Sequence, residues 1–107
     1  MLRIASFNVN GIRAAQRRGI ETWWAQTCPD ILAIQEMRAP AQAIPEGLFD
    51  GWHLAYHEGN LPGRNGVALL SRTPPAAVRY GFGHRASDPE GRYVEADYDL
   101  DGLALRV

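Results

Sequence analysis

Apolar runs of strand length, separated by turn-forming residues, divide this chain, and their polar positions collect at strand ends. Residues 2–9 are apolar on both faces at the start, which predicts a strand in the middle of a sheet. Leu2, Ile4, Ser6, Asn8 and Asn10 fall on one face of that strand. Residues 12–27 carry helical spacing, with Ile20, Trp23, Trp24 and Thr27 on one side and a break near Gly19. Two adjacent tryptophans cannot both point inward, so one is expected half-exposed. Pro29 and Asp30 then punctuate the start of a second strand, whose run from Ile31 to Ile34 is comfortable only when buried. Strand alternation puts Leu32, Ile34 and Glu36 on one face, greasy along its length and carboxylate at its tip.

The rest of the pattern predicts a second, β-rich portion. Residues 37–51 read as a loop with a short helical turn bounded by Pro40 and Pro45. Residues 52–57 and 66–72 read as strands joined by a glycine-rich turn with Arg64-Asn65-Gly66 at its tip. Strands follow over 77–82 and 92–99, separated by a polar loop. Asp101-Gly102 is a strong hairpin signal, and residues 103–107 begin the return strand.

A strand, helix and strand in succession predict a right-handed parallel crossover. Both polar strand ends then emerge at one edge of the sheet, where ligands bind in folds of this kind. That places Asn8, Asn10 and Glu36 together. A buried carboxylate is costly unless compensated. Glu36 therefore reaches solvent in a cleft, pairs with an arginine, or holds a cation. Spacing alone leaves Asn8 and Asn10 equally readable as residues of an Asn-Gly turn. Arg13, Arg17 and Arg18 lie near the same edge. Arg13, directly after the Asn-Gly turn, is the best candidate among them for a phosphate contact.

Composition changes this picture little. A chain of 107 residues makes one small domain, and 46% hydrophobic content can supply a core. The net charge of -1 is no footprint of a nucleic-acid binder by itself. The distribution is more telling. Residues 1–38 hold five arginines against three acids, and residues 80–107 hold six acids against three arginines. All eleven basic residues are arginine, which suits bidentate phosphate contact as well as a GC-rich coding bias. Cys28 is the single cysteine, so no intramolecular disulfide forms, and with strand character from Leu2 onward a signal peptide has no room. No apolar stretch is long enough to span a membrane. The expectation is a cytoplasmic protein without membrane association. A lone cysteine and histidines off ligand spacing do not make a zinc site.

The run Ser6-Phe7-Asn8-Val9-Asn10-Gly11-Ile12-Arg13, followed by Pro29 to Arg38 with Gln35-Glu36-Met37-Arg38, resembles the exonuclease III family of apurinic/apyrimidinic endonucleases, part of the endonuclease/exonuclease/phosphatase superfamily. Gly66 to Arg72 and Glu90-Gly91-Arg92 resemble further family segments in the same order. The resemblance runs along essentially the whole chain but covers only the N-terminal half of the family domain. It implies an α/β fold, part of a four-layer α/β-sandwich with a mixed sheet. It implies metal-dependent phosphodiester hydrolysis in DNA repair, as an abasic-site endonuclease with 3′–5′ exonuclease activity. Glu36 would hold Mg2+, with Mn2+ as the alternative, and Asn10 would help position it; some relatives carry Asp at the Asn10 position. Asn8 would orient the scissile phosphate or its attacking water. Arg13, Arg38 and Arg64 would contact DNA, with abasic duplexes or damaged 3′ ends as partners. The family pattern places no catalytic histidine at His53 or His57.

The family's general base, the aspartate and asparagine beyond it, its acid-histidine pair and its catalytic tyrosine would all follow Val107. The chain is therefore expected to be part of a longer polypeptide, inactive alone, and to self-associate through an uncovered sheet. Two rivals share these features. One is a sister phosphodiesterase of the inositol polyphosphate or sphingomyelin type. The other is a non-catalytic remnant serving as an interaction module.

Overall fold

The computed structural model describes residues 2–107. Strand β1 (Ile4–Asn8) leads into two short helices, α1 (Ile12–Arg17) and α2 (Ile20–Thr27). Gly19, in the left-handed region at φ 93°, separates the helices at the predicted break. Ile12, Ala15, Ile20 and Trp24 form their buried stripe. Trp24 is buried and Trp23 only half-buried, its ring 5.1 Å from that of Phe7. The chain then runs through β2 (Ile31–Gln35), a single 3-10 turn at Ala41–Ala43, and the antiparallel pair β3 (His53–His57) and β4 (Val67–Ser71). Next come β5 (Ala77–Tyr80), a 3-10 turn at Asp88–Glu90, and β6 (Val94–Leu100) with β7 (Leu103–Arg106). The last two pair around Asp101 and Gly102, both at positive φ, as the Asp-Gly signal predicts.

Four strands form one mixed sheet in the order β1-β2-β4-β3, and three form a second in the order β5-β6-β7. Only β1 and β2 run parallel, Ile4 opposite Ile31 through Asn8 opposite Gln35. Asp30 secures the start of that pair by accepting the Arg3 backbone N–H at 2.7 Å. Val9, Leu32, Ile34 and Leu70 pack toward the helices. Ile31, Ala55 and Leu69 pack the other way, against Ala96 and Tyr98 of β6. Helices, first sheet and second sheet are thus successive layers of an α/β sandwich.

Two expectations differ from the structure. Among the strands of these residues β1 is not central: it pairs with β2 alone, and Ile4 is 47% exposed. Apolar residues on both faces reported two sheet faces able to pack, not two edges able to pair. Nor does the strand reach Val9 or Asn10. The strand ends at Asn8, and Asn10 turns to φ 49°.

Two acids of the C-terminal third, Glu95 and Asp97, are paired on the second sheet. Ala96 and Tyr98 face the core, so Glu95 and Asp97 lie on the opposite face of β6. There Arg106 and then Arg79 hydrogen-bond Asp97 and hold its carboxyl down at about 2. Glu95 receives Arg79 as well.

One glycine fixes the junction of β4 with the first layer. Gly66 sits at φ 91°, and a Cβ there would stand 2.6 Å from Tyr56 Oη and 3.2 Å from Met37 Cβ. The phenol cannot simply swing away, because it donates to the Ala39 carbonyl and burial pushes its pKa to about 12. Gly66→Ala combines a strained backbone with overpacking and should cost about 2–4 kcal/mol. Urea unfolding against the wild type measures this, and a midpoint that does not move would refute the packing argument.

Candidate functional site

The parallel pairing of β1 and β2 brings two chain ends out side by side, and the backbone continues to pair after both strands stop. Val9 N–H donates to the Gln35 carbonyl at 3.0 Å, Gly11 to Glu36 at 2.8 Å, and Ile12 to Met37 at 2.9 Å. The loop after β1 is thereby laced to the loop after β2.

Strand geometry alone would not bring Asn8 and Glu36 together. Asn8 lies opposite Gln35, and Gln35 donates to the Ser6 hydroxyl at 3.0 Å on the same face. Leu32 and Ile34 face the helices, so strict alternation would carry Glu36 to their side, away from Asn8. The expected shared face of Leu32, Ile34 and Glu36 therefore does not extend to the acid. Glu36 instead adopts φ 56°, a left-handed step that ends the alternation and turns its side chain toward Asn8.

Asn8 is oriented through its amide oxygen. Its Oδ1 accepts the Asn10 backbone N–H at 3.1 Å, and the side chain lies close enough to Glu36 to favour the ionised carboxylate. Arg38 donates to Glu36 Oε1 at 3.0 Å. The Asn8 amide beside it, followed by the hydrogen bond from Arg38, holds the Glu36 carboxyl below its usual 4.5. Asn10 enters this arrangement through its backbone; among the described residues its side chain makes no hydrogen bond.

The arginines divide into three roles. Arg13 and Arg38, with Arg17, line one open groove of about 450 Å³ floored by Gly11 and Ala14. Arg64 lines the neighbouring depression beside Glu58 and Pro40, and Gly63 borders both. Arg18 turns inward instead, donating to the Val9 carbonyl at 3.2 Å. His57 is a packing residue, with Nδ1 3.2 Å from the Tyr93 carbonyl and its ring against Tyr80.

The donor set suits a hard cation. Glu36 offers one carboxylate, half-open to solvent, with the Asn8 side chain beside it. Magnesium is commonly held by one or two carboxylates and keeps several waters. No group of three or more His, Cys, Asp or Glu side chains converges among the described residues.

Sequence reasoning missed the second half of this rim. Asn65, Gly66 and the Glu90-Gly91 segment support the Glu36 loop from behind. Motif likeness drew attention to those stretches without revealing that they touch.

The chain belongs to the endonuclease/exonuclease/phosphatase family, whose pattern matches residues 5–107. Within that family it is similar to DNA repair nuclease APEX1 of Danio rerio, 34% identical over 91% of this chain and 33% of that protein. It is also similar to exodeoxyribonuclease III of Haemophilus influenzae, 31% identical over 99% of this chain and 39% of the relative. Among solved structures, an AP endonuclease from Archaeoglobus fulgidus superposes with a TM-score of 0.78 at 34% identity, over 99% of this chain and 40% of that one. A Neisseria 3′ phosphatase bound to a product DNA hairpin gives 0.77 at 27% identity, over 99% of this chain and 40% of that one. The chain thus spans between a third and two fifths of the length of the relatives it matches. The resemblance read from Asn8, Glu36 and their flanks is confirmed at the level of family and fold.

The electrostatics of Glu36 carry a pH signature. Its folded-state pKa lies below 4.5, so the stability it contributes is complete above 4.5 and lost as pH falls through the lowered value. Asn8→Ala removes the leading cause. Its stability deficit should be full at neutral pH and shrink as pH drops below 4.5, beneath a constant part from the lost Asn10 contact. Thermal melting of both proteins across that range measures it; a deficit independent of pH would show that Asn8 does not act on this carboxylate.

Proposed function

We propose that this chain forms the cation-binding and phosphate-facing part of a DNA repair phosphodiesterase, cutting at abasic sites and trimming 3′ ends. The observation that carries this reading is the meeting of Glu36 and Asn8 beside a groove lined by Arg13, Arg17 and Arg38. The names of the relatives, an AP endonuclease and exodeoxyribonuclease III among them, favour DNA over inositol or sphingomyelin phosphodiesters.

Hydrolysis of a phosphodiester needs an aligned water, a base, and relief of charge on the phosphate oxygens. Glu36, supported by an amide oxygen of the Asn8–Asn10 turn, would hold Mg2+ or Mn2+. When bound, such an ion supplies that charge relief. Asn8 contributes an amide fixed at its oxygen end by Asn10, so its NH2 can hold a phosphate oxygen or a water without first being ordered. Arg13 and Arg38 bind the flanking backbone phosphates, and Arg64 extends the contact past Gly63. The base would come from residues other than these 107, and the activity proposed is that of a polypeptide that includes them.

Glu36→Gln in that polypeptide should lower magnesium-dependent nicking of an abasic duplex by about 100-fold or more. Arg13→Ala should instead weaken DNA binding and reduce the salt dependence of log K by about 0.9, one phosphate contact. A gel assay of nicking and a salt series of binding isotherms read the two. Undiminished nicking by Glu36→Gln would refute the assignment.

We also propose that the 107-residue chain alone is inactive and self-associates. β1 and β7 are sheet edges, with Ile4 47% and Leu103 52% exposed beside unpaired backbone groups. Sedimentation velocity at increasing concentration should show dimers or larger species. A monomer that nicks abasic DNA would overturn this.

A further inference from the structure

We infer that Asn65 is a positioning residue for the cation site: its side chain ties the β3–β4 turn to the Glu90-Gly91 segment, and the tied turn holds the Glu36 loop in its left-handed course. This rests on the cation-site reading above and extends it to a residue that touches neither cation nor phosphate.

The connection is continuous. Asn65 Nδ2 donates to the Glu90 carbonyl at 3.1 Å, and Gly66 N–H donates to the Gly91 carbonyl at 3.0 Å. The same two residues then turn their own carbonyls the other way. Arg38 N–H donates to the Asn65 carbonyl at 2.9 Å, and Met37 N–H donates to the Gly66 carbonyl at 3.0 Å. Glu36 and Met37 in turn accept from Gly11 and Ile12. The Glu36 loop is thus held on one side by the β1–α1 loop and on the other by the Asn65-Gly66 pair.

That grip is required because the loop is conformationally unfavourable. Glu36 and Arg38 sit at φ 56° and 54°, a region that long side chains rarely adopt. Left alone, the chain would continue extended, and alternation would carry the carboxylate away from Asn8. Asn65 itself sits at φ 58°, which asparagine tolerates better than most residues. It therefore reverses the chain and supplies the tether at once. The anchor behind it is close-packed: a Cβ on Gly91 would stand 2.8 Å from the Glu58 carbonyl carbon.

Two substitutions separate the tether from the turn. Asn65→Asp keeps the size and the turn but points an acceptor at the Glu90 carbonyl. Asn65→Gly keeps the turn and removes the tether. In the full-length protein, both should speed amide hydrogen exchange at Met37 and Arg38 while leaving Leu69 and Leu70 of β4 protected as in the wild type. Both should weaken Mn2+ binding, titrated calorimetrically without DNA, by about 10-fold, the usual cost of losing a group that orients a metal ligand. Unchanged exchange at Met37 and Arg38, or faster exchange with undiminished Mn2+ affinity, overturns the inference. Faster exchange at Leu69 and Leu70 as well would mark a merely structural residue and overturn it too. A wild type that binds no Mn2+ refutes the cation-site reading instead, and exchange at Met37 and Arg38 then decides whether Asn65 holds the loop.

Discussion

The left-handed backbone at Glu36 is the constraint on which the site depends. The β1–β2 register and strand alternation set a default in which Asn8 and Glu36 face opposite sides of the sheet. One residue at positive φ reverses that default. Its cost is met by neighbours on both flanks, because the backbone of residues 36–38 both donates to and accepts from adjoining loops. The surrounding structure thus over-determines a conformation that the local sequence would not choose, as strained functional loops generally require.

The strands, the helical break and the Asp-Gly hairpin were legible because each has a local cause. Gly19 and the Asp101-Gly102 pair carry their conformations in their own chemistry. The place of β1 in its sheet was not legible, because edge or centre depends on which strands pair with it, and pairing is non-local. Glu36 was correctly placed beside Asn8 for an incomplete reason. The crossover argument brought the two strand ends to one edge but left them on opposite faces, and no residue type near Glu36 signals a left-handed step. Asn65 was the hardest case. Its part comes from a partner 25 positions along the chain, and an Asn-Gly at a turn tip needs no partner to be explained.

The charge pattern also resolves once the fold is known. A domain of net charge -1 offers a polyanion no overall attraction. Yet Glu95 and Asp97 face away from the core of the second sheet and bind Arg79 and Arg106 there. Arg13, Arg17 and Arg38 meanwhile line one groove in the first layer. Segregation of this kind, rather than total charge, sets the local potential at that groove.

Rigidity at the site resides in the backbone rather than in the charged side chains. The Arg38–Glu36 pair is solvent-exposed, with 44% and 36% of the two side chains accessible, and such pairs contribute little net stability. Were that pair buried and tight, a cation would have to displace it at considerable cost. Here the carboxylate is held in place through its main chain and kept ionised by Asn8 and Arg38, while its oxygens remain open to exchange one weak partner for a stronger one. Arg38 also lines the groove with Arg13. Under the proposed function, a fixed backbone with loosely engaged side-chain charges would let one acid and one arginine serve an ion and a phosphate in turn without refolding the loop that carries them both.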